Sequence, residues 1–185
     1  MRTVSLQPLQ AVCADLPDSS RPGDSVLWHV LQTKPRQEKL LAMDLAARGV
    51  DHFLPLQTRI HHYGPRKATV QLPLFPGYLF LRGTLDDAYT ADRTKRVAQV
   101  IRVSQQAKLE TELTNIRLAI DGQASLDPYP YLQTGTKVEV NAGPMRGLQG
   151  VVEDRAGKTR LILQIDMLGQ AVSMEIDGSL LDLVD

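Results

Sequence analysis

The chain has 185 residues, 21 basic against 21 acidic side chains, and hydrophobic and charged shares of 43% and 23%, which fit one average globular domain or two small ones. No run approaches the roughly 18 consecutive apolar residues of a membrane span, and the first residues carry too broken an apolar run for a signal peptide, so a cytoplasmic chain with no membrane partner is expected. One cysteine, Cys13, excludes an internal disulfide and a paired-thiolate metal site.

In chain order, residues 1–24 show neither helical nor strand period and are expected to form a disordered or loosely attached extension. "SVLWHVLQT" from Ser25 has the β-branched and apolar content of a largely buried strand. In "KPRQEKLLAMDLAARGV", Pro35 suits a first helical turn, Leu41 and Leu45 share one face, and Gly49 suits a left-handed C-terminal cap. Strands follow in "HFLPLQTRIHHY" and "ATVQLPLFPGYLFLR", joined by a turn at "GPRK". A short helix is predicted over residues 86–95, with Asp86 and Asp87 at the positive end of its dipole. "RVAQVIRVS" reads as a strand, and Leu109, Leu113, Ile116 and Ile120 give "KLETELTNIRLAID" a helical face. The expected fold of residues 25–122 is therefore α+β, with helices flanking a mainly antiparallel sheet.

Residues 123–134 read as a proline-stiffened linker to a second module, 135–185. There Leu161, Leu163, Ile165 and Met167 alternate with Ile162, Gln164, Asp166 and Leu168, a strand period, and glycine turns separate five short strands. A small all-β barrel is expected, because closure removes edges that so small a sheet cannot protect. The even overall charge conceals a division: residues 26–122 carry 14 basic and 9 acidic side chains, and residues 135–185 carry 5 and 8. The two modules thus have opposite signs.

No catalytic constellation emerges. His61 and His62 are adjacent, so on a strand they point to opposite faces and cannot easily share a metal; no phosphate loop, zinc-protease motif or nucleophile elbow is present. No enzyme activity, metal or cofactor is expected. Between His52 and Gly83 there is no carboxylate, while Arg59, Arg66, Lys67 and Arg82 stand among three histidines with Tyr63, a place for phosphates or stacked bases. In "QLPLFPGYLFLR", Phe75, Tyr78 and Phe80 crowd around Pro76-Gly77. Tyr78 and Phe80 fall on one strand face and Leu79 and Leu81 on the other, so one apolar face would stay exposed unless a partner covers it.

Three stretches in this order, "WHVLQTKPRQEKLLAMDLAARGVDHFLP", "PLFPGYLFL" and "GTKVEVNAGPMRGLQGVVED", resemble the opening strand and helix, the FPGY signature and the KOW motif of NusG-type transcription elongation factors. The resemblance implies a monomeric factor with an N-terminal domain on the clamp helices of bacterial RNA polymerase and a C-terminal KOW barrel that recruits other machinery. It carries Gln32, Phe75, Pro76, Tyr78 and Phe80 onto the polymerase-binding surface. "GPRKATVQLPLFPGYLF" is similar to RfaH-like antitermination paralogues, which touch the non-template DNA strand. Matching their opening helix puts Asp44, Ala47 and Arg48 where those proteins read DNA, with Lys95 and Arg96 nearby. Asp44 and Ala47 depart from RfaH, so its DNA element is not carried over. With Lys34, Arg36, Arg59, His61, His62, Arg66 and Lys67, the three cations Arg48, Lys95 and Arg96 complete the expected nucleic-acid-binding set. Met145, Leu148, Met167 and Leu168 are the expected partner contacts of the KOW half; three of them stand where NusG has phenylalanines, which leaves ribosome or termination machinery open as the partner. The competing reading is a KOW-type RNA-binding or ribosome-associated protein, which would call for a basic barrel where this one is acidic.

Overall fold

The computed structural model describes residues 25–63, 66–132, 135–155 and 158–184. The N-terminal extension and the Gly64-Pro65 turn tip lie outside them.

The first sheet is antiparallel with β1 (Leu27–Thr33) inside it, flanked by β5 (Tyr78–Gly83) and β6 (Val97–Arg102), and β2 (His52–Phe53) at the edge beyond β5. Helix α1 spans Glu38–Ala46. Pro35, expected in its first turn, lies ahead of it, because Arg36 adopts a left-handed φ of 62° that a helix cannot contain. Gly49 follows α1 with φ 71°, the left-handed ending foreseen for it. Helix α2 (Leu85–Arg93) starts where Thr84 and Asp87 cap each other's backbone N–H groups. Strands β3 (Leu56–Tyr63) and β4 (Arg66–Pro73) form a separate two-stranded hairpin, and α3 (Gln106–Asp121) closes this half.

The second sheet has six strands, not five: β7 (Asp127–Tyr129), β8 (Thr136–Val140), β9 (Gln149–Arg155), β10 (Lys158–Ile165), β11 (Gln170–Glu175) and β12 (Leu181–Leu183), ordered β12-β8-β9-β10-β11-β7. The added strand comes from the segment read as linker, which pairs with β11. Among the described residues no pairing joins β12 to β7, so the strand order does not show the expected closed barrel. The strand period also stops early. After Ile165 the chain makes a 3-10 turn, Asp166–Leu168, ended by Gly169 at φ 59°.

Two apolar clusters account for the packing. On one face of the first sheet Leu31, Leu79 and Leu81 meet Leu41 and Leu45 of α1 and Ala91 of α2. On the other, Trp28, Val30, Phe53 and Phe80 meet Leu109, Leu113 and Ile116 of α3, and this cluster runs on without a break into Val138, Leu148, Leu161, Leu163 and Ile165 of the second sheet. Each such buried aliphatic or aromatic side chain contributes about 1.5–3 kcal/mol relative to leaving it in water. Helix α3 is thus shared between the sheets, its single buried stripe of Leu109, Leu113, Ile116 and Ala119 belonging to the cluster that both reach.

Candidate functional site

The Phe75-Pro76-Gly77-Tyr78 signature forms the turn entering β5. Tyr78 N–H donates to the Phe75 carbonyl at 3.2 Å, and Gly77 sits at φ 84°, a conformation that disfavours any side chain. Two bonds fix the turn to its neighbours: Thr33 N–H donates to the Gly77 carbonyl at 2.8 Å, and Gly77 N–H donates to Oε1 of Glu38, also at 2.8 Å. Glu38, at the start of α1, is only 8% exposed. The carboxylate therefore ties the helix to the signature through a charge-assisted bond.

The five residues assigned to a polymerase surface divide here. Phe75 and Phe80, 1% and 0% exposed, meet edge-to-face with ring centroids 6.3 Å apart and belong to the core. Pro76 is exposed, Tyr78 is half-buried, and Gln32, its cross-strand partner, is half-buried too. The apolar face that the strand period left open is covered by α3 of the same chain. Gln106 clamps that helix to β1 by accepting from Trp28 N–H and donating to the Trp28 carbonyl, while Trp28 Nε1 donates to Glu110. The open surface is accordingly a corner at the strand ends rather than a sheet face.

The cationic set divides as well. Arg96 is committed to structure: Nε donates to Asp44 at 2.7 Å and a terminal nitrogen donates to Gln37, joining the entry of β6 to α1. Arg59 pairs with Asp127 at 3.0 Å. Lys34, Arg36, Arg48, Lys67 and Lys95 are exposed, and among the described residues none of them forms an ion pair. The side chains of His61, His62 and Arg66 lie outside the described residues. Lys34 N–H donates to the Arg96 carbonyl, which brings two turns side by side. One holds Arg36 at φ 62° and the other Lys95 at φ 60°. A left-handed non-glycine residue costs about 1–2 kcal/mol, so two exposed cations are held in strained turns next to each other.

Residues 27–117 match the NusG family model, described as transcription termination factor nusG. This part of the chain is similar to the N-terminal part of NusG-family proteins. Two solved structures also match, those of an MjSpt4:Spt5 complex in conformations A and B. They are 17% and 16% identical, cover 86% of this chain and 99% and 97% of those chains, and have a TM-score of 0.30. That score is too low to carry over fold or partner. Among the described residues no helix is long and apolar enough to cross a membrane, and no group of three or more His, Cys, Asp or Glu could hold a metal.

Beyond the stretch that matches the family model, the partner set of the second sheet faces the first half in part. Leu148 is fully buried, and Met145 packs against Gly122 so closely that a Cβ there would stand 2.5 Å from its Cγ. Met167 is 39% exposed and Leu168 half-buried. Gln149 N–H donates to Asn115 of α3 at 3.1 Å. One helical turn away, Asp166 N–H donates to Glu112 at 3.4 Å, and the Asp166 carboxylate receives Lys108 Nζ and the Tyr131 hydroxyl. Burial, chiefly, pushes the Glu112 carboxyl up to about 7. Sequence reasoning missed Glu38 and Glu112. Glu38 had no periodic role in the pattern, and Glu112 reads as an ordinary exposed helix position until the second sheet packs over it.

Proposed function

We propose that the chain is a bacterial, cytoplasmic transcription elongation and antitermination factor of the RfaH-like kind. Its NusG-type domain, residues 25–122, seats on the clamp helices of RNA polymerase, bridges the clamp over the nucleic acid and disfavours the paused state; the enzyme-bound conformation is selected by differential affinity. The family match over residues 27–117 carries the reading. The contact we assign is the corner of Gln32, Pro76 and Tyr78, which offers an exposed proline and a half-buried tyrosine at a turn made rigid by Glu38. Phe75 and Phe80 support it from the core. Anchors of this aromatic kind commonly dominate an interface.

The two strained turns carrying Lys34, Arg36 and Lys95, with Arg48 beyond α1 and Lys67 on the hairpin, are the surface we assign to the non-template DNA strand. So few phosphate contacts give weak, salt-sensitive binding, which suits a factor already held by a protein partner. The second module, 135–185, is assigned a KOW role, recruiting ribosomal or termination machinery through Met167 and Leu168. Its acidic balance favours a protein partner over RNA.

The test is capture of purified core polymerase by the wild type and by Tyr78→Asp, followed by single-round elongation on a pausing template. Binding lost in the variant, with pausing altered only by the wild type, is the expected result. If neither protein binds, the clamp reading fails, and ribosomal RNA is the next ligand to offer.

A further inference from the structure

The joint between α3 and the turn after β10 contains two carboxylates and one ammonium. Asp166 engages both available donors, the Lys108 ammonium and the Tyr131 hydroxyl. Glu112, half-buried, is left with a single long bond from the Asp166 backbone N–H, 3.4 Å, close enough to that residue for its negative charge to be felt. The groups around it come from three elements: Lys108 on its own helix, Asp166 on the turn, and Tyr131 on the segment after β7. A charged Glu112 is therefore the group at this joint without an ionic partner of its own, and a neutral one removes the repulsion while its carbonyl oxygen still accepts from Asp166 N–H.

We propose that the turn Asp166–Leu168 is held on α3 by a proton-sensitive contact centred on Glu112, seated when that side chain is neutral and loosened when it is charged. Burial and the neighbouring carboxylate raise the seated Glu112 from 4.5 to about 7. Because the raised value belongs to the seated form, the contact is at full strength below the free value and weakens as pH rises through about 7. Exposed Met167 and half-buried Leu168 ride on this turn. The device thus sets how firmly that apolar pair is presented within the pH range of the cell. Its consequence for a partner rests on the reading of these residues as a contact; the protonation step does not.

Amide hydrogen exchange of the full chain between about pH 5.5 and 8.5, corrected for intrinsic rates, tests it. Each unit of pKa difference is worth tenfold in an equilibrium, and partial exposure of Glu112 discounts the whole, so protection at residues 166–168 should fall roughly tenfold as pH rises toward about 7 and level off above it. Glu112→Gln keeps the acceptor and should leave protection flat across that range. Asp166→Asn removes the neighbouring carboxylate and should lower the pH at which the fall levels off. A wild-type profile that is flat across that range, or a Glu112→Gln profile that tracks a falling wild type, overturns the proposal. No partner enters this experiment, so its failure leaves the polymerase reading untouched, and failure of polymerase capture leaves this one untouched.

Discussion

Two glutamates in this chain perform the same act in different company. Glu38 at the start of α1 and Glu112 within α3 each accept a backbone N–H from a turn of another element, Gly77 in one case and Asp166 in the other. The first bond is 2.8 Å long and its turn, Phe75 to Tyr78, has no carboxylate. The second is 3.4 Å long and its donor residue is itself an aspartate. A buried carboxylate facing only N–H groups acts as a fixed clamp, whereas one facing a second carboxylate becomes responsive to protons. The signature corner belongs to the first kind and the joint between the sheets to the second.

The largest expected effect lies under the corner. Phe80→Ala should cost about 3–5 kcal/mol in denaturant unfolding, since the ring is wholly enclosed between β1 and α3. If stability were unchanged while polymerase capture was lost, Phe80 would be an open anchor and the division of the signature into core and corner would be wrong. Next, Glu38→Ala leaves Gly77 N–H without its partner and should cost about 1–3 kcal/mol. Glu112→Ala at pH 8 should cost under about 1 kcal/mol, because the half-exposed charge it removes was poorly compensated. Equal losses from the two glutamate variants would erase the contrast.

Smaller effects sharpen it. Lys95→Gly relieves a left-handed backbone and should raise stability by up to about 1 kcal/mol while weakening any nucleic-acid contact at that turn. A gain in stability with no loss of single-stranded DNA binding, read by fluorescence anisotropy at low salt, would remove Lys95 from that surface. Arg59→Ala should cost no more than about 0.5 kcal/mol, since its pair with Asp127 is solvent-exposed on both sides.

Much of this was legible in the chain order of residue types. β1, α1, α2, β6 and α3 stand within a few residues of where period and punctuation placed them, and Gly49 ends α1 as a glycine there should. The errors have particular causes. Pro35 fell outside the helix because the left-handed Arg36 follows it. Residues 127–129 looked like linker because Asp127 and Pro128 are poor strand formers, yet β11 offered an unpaired edge. Phe75 and Phe80 looked available because alternation along one strand shows two apolar faces but not what lies against each.

Local chemistry by itself determined the elements, their order, the opposite charges of the two halves and the signature that the family model also matches. Only the tertiary structure decided which side chains of that signature are open, which cations are spent on Asp44 and Asp127, and that α3 serves both sheets. The reason is physical. Periodicity and turn preference act over a few residues, whereas burial and charge compensation depend on groups as far apart in sequence as Glu112 and Asp166, which meet only when the chain has folded.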